Sequence, residues 1–290
     1  MSFDTRETLV RSGVADNRLQ GVLAAERFVP TATRQAIRPA TAIRAAPEAG
    51  AEQLDQILFG ERFDVLESRG GFALGQAVRD GYVGWVETTA LSEEIARATH
   101  WVTAPSTLAF AEPSIKTPAT HPIPMNALVS IAAETESLAR DPRLGWMPKS
   151  HLLPIGITLT DPAAAVLTFL GAPYLWGGRG GGGVDCSGLV QQALIACGLP
   201  SARDSDQQES LGEPTPEDTL ARGDLVFWKG HVAMMIDARR MAHANAFHMA
   251  VAVEPLAKAR ARIAARSGEP VAFRRMTTIS RTPGTRRRKP

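Results

Sequence analysis

Gly183-Val184-Asp185-Cys186-Ser187-Gly188-Leu189-Val190-Gln191 is the stretch on which the reading of this chain turns. A glycine-rich loop, Gly177 to Gly183, runs straight into it. A helix is expected from about Cys186 to Cys197, ending at Gly198-Leu199-Pro200. The cysteine therefore falls on the first helical residue. Backbone N–H groups at a helix N-terminus favour a thiolate and lower its pKa. The same N–H groups can hold the oxyanion of a tetrahedral intermediate. Gly188 is unfavourable inside a helix, but it lets another backbone or a substrate come close. Cys197 has none of these neighbours and reads as a small packing residue. Eleven positions of helix put the two sulfurs about 16 Å apart, too far for a disulfide, so both are expected as free thiols, which suits a reducing compartment.

A thiol nucleophile needs a base. Three of the six histidines lie downstream, His231, His243 and His248. His231 opens the apolar run Val232-Ala233-Met234-Met235-Ile236, and His243 lies in Met241-Ala242-His243-Ala244-Asn245. Asp237-Ala238-Arg239-Arg240 between them is a turn candidate. In a hairpin the even separation puts both imidazoles on one face, and an odd-length loop or a bulge near Asp237 would make them direct neighbours. His231 can then reach the cysteine while His243 orients it through the other ring nitrogen. His248 lies an odd number of residues from His231, which places it on the opposite strand face.

Outward from this region the texture changes. Asp161-Pro162 followed by an apolar run to Gly171 reads as a complete short helix, with Asp161 at the N-cap. Strands are expected over Asp224 to Trp228, His231 to Ile236 and Met241 to about Val253, so residues 155–278 read as an α+β unit. Upstream, Phe63 and Val65 alternate with Arg62 and Asp64, and Phe72 and Leu74 with Ala73 and Gly75. The turn signals Arg69-Gly70-Gly71 and Arg79-Asp80-Gly81 separate such runs, the pattern of a small all-β unit. Gly84-Trp85-Val86 with Leu91 recurs as Gly145-Trp146-Met147 with Leu152, a repeat that divides the region into units at 39–95 and 96–154. Residues 1–38 carry scattered charges and read as an extended arm with a short helix around 17–26, and residues 279–290 as a basic, solvated tail.

The 290 residues are 44% hydrophobic, enough for real cores. Arg286-Arg287-Arg288-Lys289 accounts for four of the positive charges, and removing them from the net +2 leaves the rest at −2. A nearly neutral body argues against a nucleic-acid surface. No apolar run approaches the length of a signal peptide or a membrane span, so a cytoplasmic protein with no membrane partner is expected.

Tyr174-Leu175-Trp176-Gly177-Gly178, Asp185-Cys186-Ser187-Gly188-Leu189-Val190, Gly223-Asp224-Leu225-Val226-Phe227-Trp228, His231-Val232 and His243-Ala244 resemble, in this order, the motifs of the papain-like NlpC family of cell-wall cysteine peptidases. Asp80-Gly81-Tyr82-Val83-Gly84-Trp85-Val86 resembles the closing segment of bacterial SH3-like domains, and the layout resembles three-domain members with two such barrels before the catalytic unit. The resemblance implies Cys186 as nucleophile, His231 as general base, His243 as its orienting residue and Tyr174 beside the oxyanion. It also implies Asp185 and Ser187 as substrate contacts, with Asp204 and Ser205 on a loop lining the cleft. Ala233 stands where the family commonly has glycine.

The activity so implied is hydrolysis of the γ-D-glutamyl bond to diaminopimelate or lysine in murein-derived peptides, without metal or cofactor. Members with SH3-like domains tend to require a free L-alanine amine. Asp185 is the expected partner of that amine, and Tyr82 or Trp85 could close that end, Trp85 being the more natural core residue. A murein recycling role follows from the absent signal peptide. Two other classes stay open, an inert wall-binding module and a papain-like lipid acyltransferase.

Overall fold

Phe63, Ile43, Ile57 and Val86 bury one face of a sheet, while Leu66, Phe72, Leu74 and Trp85 bury the other. The sheet has seven antiparallel strands in the order Leu91–Ser92, Ala32–Ala36, Arg62–Arg69, Phe72–Ala77, Val83–Glu87, Ala40–Arg44, Gln53–Leu58. The expected alternation holds at Phe63 but fails over Phe72–Gly75, where every residue is buried. The cause lies in the N-terminal segment. Leu9 and Val14 pack onto the second face and cover it. At ~1.5–3 kcal/mol for each large apolar side chain taken from water, this cover is part of the core. Residues 1–38 are therefore no extended arm. Val10–Arg11, Val14–Asp16 and Arg27–Val29 form a small sheet, Ala32–Ala36 joins the large one, and the expected helix is a single 3-10 turn at Asn17–Leu19. The structure, a computed structural model, describes residues 3–180 and 182–276. The Arg286-Arg287-Arg288-Lys289 tail lies outside the described residues.

The middle unit is built from short strands around Phe59, Val102, Ile123, Val129 and Met147. Its sheets order Leu128–Val129, His100–Val102, Leu152–Pro154 and, separately, Ala133–Glu134, Leu138–Asp141, Gly145–Pro148. The Gly-Trp repeat marks the same local path twice. Strand Val83–Glu87 passes through the 3-10 turn Thr88–Ala90 into Leu91–Ser92, and strand Gly145–Pro148 passes through Lys149–His151 into Leu152–Pro154. Gly84 and Gly145 leave room for a crossing chain, since a Cβ would strike Ile43 in the first case and the Phe110 carbonyl in the second.

The last unit begins with α1 (Pro162–Leu167), capped by Asp161, whose side chain accepts from the Ala164 N–H at 3.1 Å. Helix α2 (Cys186–Ala196) is buried along nearly its whole length, and α3 (Ser205–Gln208) is a single turn. A six-stranded antiparallel sheet follows, in the order Glu213–Pro214, Ala272–Arg275, Leu225–Trp228, His231–Met235, Arg240–Asn245, Ala250–Pro255. The single strand expected from Met241 to Val253 is thus a hairpin. It turns at residues 246–249, where Met249 takes a positive φ of 50°. Helix α4 (Leu256–Ser267) packs on its far strand. Leu189, Val190, Ala193 and Leu194 of α2 meet Leu225, Phe227, Val232 and Met234 of the sheet in one apolar cluster that also contains Cys186.

Candidate active site

Asp185 sets the start of α2. Its Oδ1 accepts from the Gly188 N–H at 2.7 Å, the N-cap bond that satisfies an otherwise unpaired helix donor. Its Oδ2 accepts from the Gly177 N–H at 2.8 Å and so ties the glycine loop to the helix. A Cβ on Gly188 would run into the Gly178 carbonyl, which explains a glycine in a helical first turn. Cys186, the next residue, is buried in the apolar cluster that joins α2 to Val232 and Met234 of the sheet. Tyr174, Cys186, His231 and His243 line one cavity of about 270 Å³ with Lys229, Asn245, Phe247, Arg262 and Arg266.

The hairpin register pairs Met234 with Ala242 and Met235 with Met241. Continued outward, it places His243 opposite Ala233, one diagonal step from His231 on the same face. No bulge is needed, because a diagonal pair is within reach of ring side chains. Nε2 of His231 lies 2.8 Å from Nδ1 of His243. Nε2 of His243 in turn lies 2.8 Å from Oε1 of Glu254, which also pairs with the Arg262 guanidinium. These contacts fix the protons. A carboxylate held by an arginine can only accept, so His243 carries its proton on Nε2 and accepts on Nδ1. His231 then donates through Nε2, leaving the Nδ1 lone pair as the basic position. Glu254 and Arg262 were not foreseen from sequence. The signal lay in a hairpin register that pairs His243 with Ala252 and so leaves Glu254 one diagonal step away on the same face, across a turn that nothing in the sequence marks.

His248 sits in that turn, not on the opposite face of a continuous strand. Its Nδ1 lies 2.9 Å from Oδ1 of Asn245, and the Glu254 contact to His243 leaves the orienting role with His243.

Burial dominates the electrostatics. It pushes the Cys186 thiol up to about 12, with the Asp185 carboxylate adding to the rise and the Val232 N–H opposing it. Burial also lowers His231 to about 4, helped by the Arg262 charge. Burial thus favours the neutral form of both groups. The helix N-terminus that the sequence offers to a thiolate is opposed here by desolvation and by the carboxylate that caps the same helix. Tyr174 is raised to about 12 by burial, then by Cys186, consistent with its place beside the sulfur.

Asp185 and Ser187 are buried, and neither lines the cavity. Arg203, itself fully buried, donates to Asp185 Oδ1 and Oδ2 at 3.0 and 2.7 Å and to Ser187 Oγ at 2.9 Å. Both oxygens of Asp185 are thus filled by arginine and backbone donors, so the expected pairing of Asp185 with a substrate amine is not what this structure offers. Asp204, which also does not line the cavity, is the less buried of the two. Burial raises its pKa, and its Oδ2 accepts from the Tyr82 hydroxyl at 3.1 Å and from Arg6 at 2.9 Å. Ser205 is buried at the start of α3, and Trp85 is a core residue of the first unit.

The first unit thus meets the last at Asp204, although none of its residues lines the cavity at Cys186. Arg203 also pairs with buried Asp55, and Arg179 with Glu61 at 3.1 Å, both across the boundary between units. Burial raises Asp55 to about 8, with Asp80 adding to it and the two guanidinium groups opposing.

The NlpC/P60 family profile matches residues 171–263, and that of the bacterial dipeptidyl-peptidase SH3 domain matches residues 43–91. The chain carries an NlpC/P60 domain behind a bacterial SH3 domain. The γ-D-glutamyl-L-lysine dipeptidyl-peptidase of Bacillus cereus is 29% identical to this chain over 232 residues, covering 69% of this chain and 70% of that protein. The Bacillus subtilis protein of the same name is 40% identical over 83 residues, covering 26% of this chain and 28% of its own. A solved NlpC/P60 family protein from Bacillus cereus shares the fold, with a TM-score of 0.70 at 21% identity, covering 84% of this chain and 99% of that one.

Proposed function

We propose that this chain is a cysteine hydrolase of the NlpC/P60 kind that cleaves the bond between γ-D-glutamate and a diamino acid in murein-derived peptides, releasing L-Ala-γ-D-Glu. The observation that carries this reading is Cys186 at the head of α2, sharing one cavity with a His231 whose basic nitrogen is fixed by His243 and Glu254. The names of the Bacillus relatives support the choice of bond.

In the reaction, His231 Nδ1 takes the Cys186 proton as the sulfur attacks the γ-carbonyl, so no resting thiolate is required. The C–S bond forms, and the oxyanion meets backbone N–H at the head of α2, with Tyr174 beside it. His231 passes its proton to the leaving amine as the C–N bond breaks. Water, deprotonated by His231, then hydrolyses the thioester and restores the thiol.

The free L-alanine amine faces Asp204, with Tyr82 completing that end. An ammonium requires a carboxylate, and Asp204 is only half-buried, whereas Asp185 is enclosed by Arg203 and backbone donors. We read the middle unit as a second SH3-like barrel, on the strength of its repeated strand, 3-10 turn and strand path. The catalytic unit is read as papain-like, from a cysteine at a helix head facing a histidine on a sheet. A substrate with a free amine suits imported peptide fragments, hence recycling in the cytoplasm.

The test is incubation of the protein with L-Ala-γ-D-Glu-diaminopimelate and its lysine analogue, each followed by chromatography for L-Ala-γ-D-Glu. Release that disappears in Cys186→Ala supports the reading. No release from either peptide by the intact protein overturns it.

A further inference from the structure

The cavity at Cys186 has a strongly one-sided charge. Lys229, Arg262 and Arg266 line it, and no aspartate or glutamate does. Arg262 is neutralised from beneath by Glu254 and lies over the Phe247 ring, 4.3 Å from its centre. Lys229 and Arg266 form no ion pair among the described residues, although the chain is otherwise rich in such pairs. Both are exposed at the rim, one on the turn that precedes His231 and the other in the last turn of α4.

This end of the cleft receives the leaving group. The imidazole that protonates the departing amine must stand next to it, and the cations are reached from Cys186 through His231. The carboxylate for the substrate amine, Asp204, is reached the other way, through Ser187 and Arg203. The cavity beside His231 is therefore positive where the leaving group would sit. Its volume of about 270 Å³ is at the low end for ligand sites, roughly 300–1,000 Å³, and suits one amino acid.

Resting on the reading above, we propose that Lys229 and Arg266 select a leaving diamino acid that bears a second carboxylate at its far end, so that the chain prefers diaminopimelate over lysine. A lysine side chain brings only an ammonium toward two unpaired cations, which repel it. Diaminopimelate brings a carboxylate to the same place, which both cations can bind through charge-assisted hydrogen bonds. The preference would set this chain apart from the relatives whose names specify lysine.

The experiment compares kcat/KM of the intact protein on L-Ala-γ-D-Glu-meso-diaminopimelate and on L-Ala-γ-D-Glu-L-Lys at low ionic strength. A ratio of about 5 in favour of diaminopimelate is expected, the upper scale of an exposed ion pair. In Lys229→Met/Arg266→Met the ratio falls to within about twofold, and in the intact protein it shrinks as salt is added. Because the same preparation is read on two substrates, loss of folded protein cannot mimic the change. Equal cleavage of both peptides, or a ratio untouched by the double substitution, overturns the inference while leaving the hydrolase reading intact. Cleavage of neither peptide removes both.

Discussion

Arg203 presents both terminal nitrogens to the carboxylate of Asp185, at 3.0 and 2.7 Å, in a place that water does not reach. The pair stands directly behind the nucleophile, since Asp185 caps the helix that Cys186 opens. Its third nitrogen goes to Asp55 of the first unit. Arg203→Met leaves two buried carboxylates without their cation, a loss of about 3–5 kcal/mol. The expected result is a thermal midpoint lower by about 10 °C in calorimetry. Arg203→Lys keeps the charge but cannot span three acceptors and falls between the two.

Glu254 acts on the reaction through two imidazoles. In Glu254→Gln the amide can donate as well as accept, and His243 is no longer forced to carry its proton on Nε2. We expect kcat to fall about tenfold or more with KM little changed, well short of the ~10⁴ that follows loss of the carboxylate in a serine protease triad. Steady-state kinetics on the dipeptide-releasing reaction checks this. An unchanged kcat would remove Glu254 from the relay.

His231 sits at about 4 instead of the usual 6.5. It accepts the thiol proton only while unprotonated, so kcat/KM is lost as pH falls through its folded value, not through the ordinary imidazole range. The acid limb is therefore expected below pH 6, displaced toward 4. Stability runs in the same direction. Between the two values the unfolded chain binds more protons at His231 and at His243, which is lowered to about 2, so both cost stability as the medium is acidified below 6.5. A pH profile of kcat/KM, bounded by denaturation curves at each pH, separates the two effects.

The Tyr82 hydroxyl is held 3.1 Å from Asp204 across the boundary between the first and last units. Tyr82→Phe removes one hydrogen bond, about 1 kcal/mol. KM for a peptide with a free amine should rise about fivefold, and cleavage of its N-acetylated form should not respond. Equal effects on both peptides would detach Tyr82 from amine binding.

The catalytic pair could be read from sequence because local signals pointed one way at the same place: a glycine loop, a helix cap and a small residue after the nucleophile. His243 was legible for a related reason, since strand periodicity fixes a face without knowledge of the partner strand. Glu254 was not, because Ala246-Phe247-His248-Met249 carries no glycine or proline to announce a turn, and Met249 takes the positive φ instead. The N-terminal segment was misjudged because its apolar residues, Leu9 and Val14, are too few to show a period. They matter only through what they cover. Arg203 stands just before the expected cleft loop at Asp204 and Ser205, and nothing in its neighbours reveals that Asp55, far away in the chain, shares it.

The Arg179–Glu61 and Arg203–Asp55 pairs, which join the first unit to the last, have no access to solvent. To swing the two apart, as a hinged jaw would, Arg179 and Arg203 would each have to abandon a carboxylate before water could replace it. The seating of the first unit against the last is therefore settled when the chain folds, and a hinged opening between them is not expected.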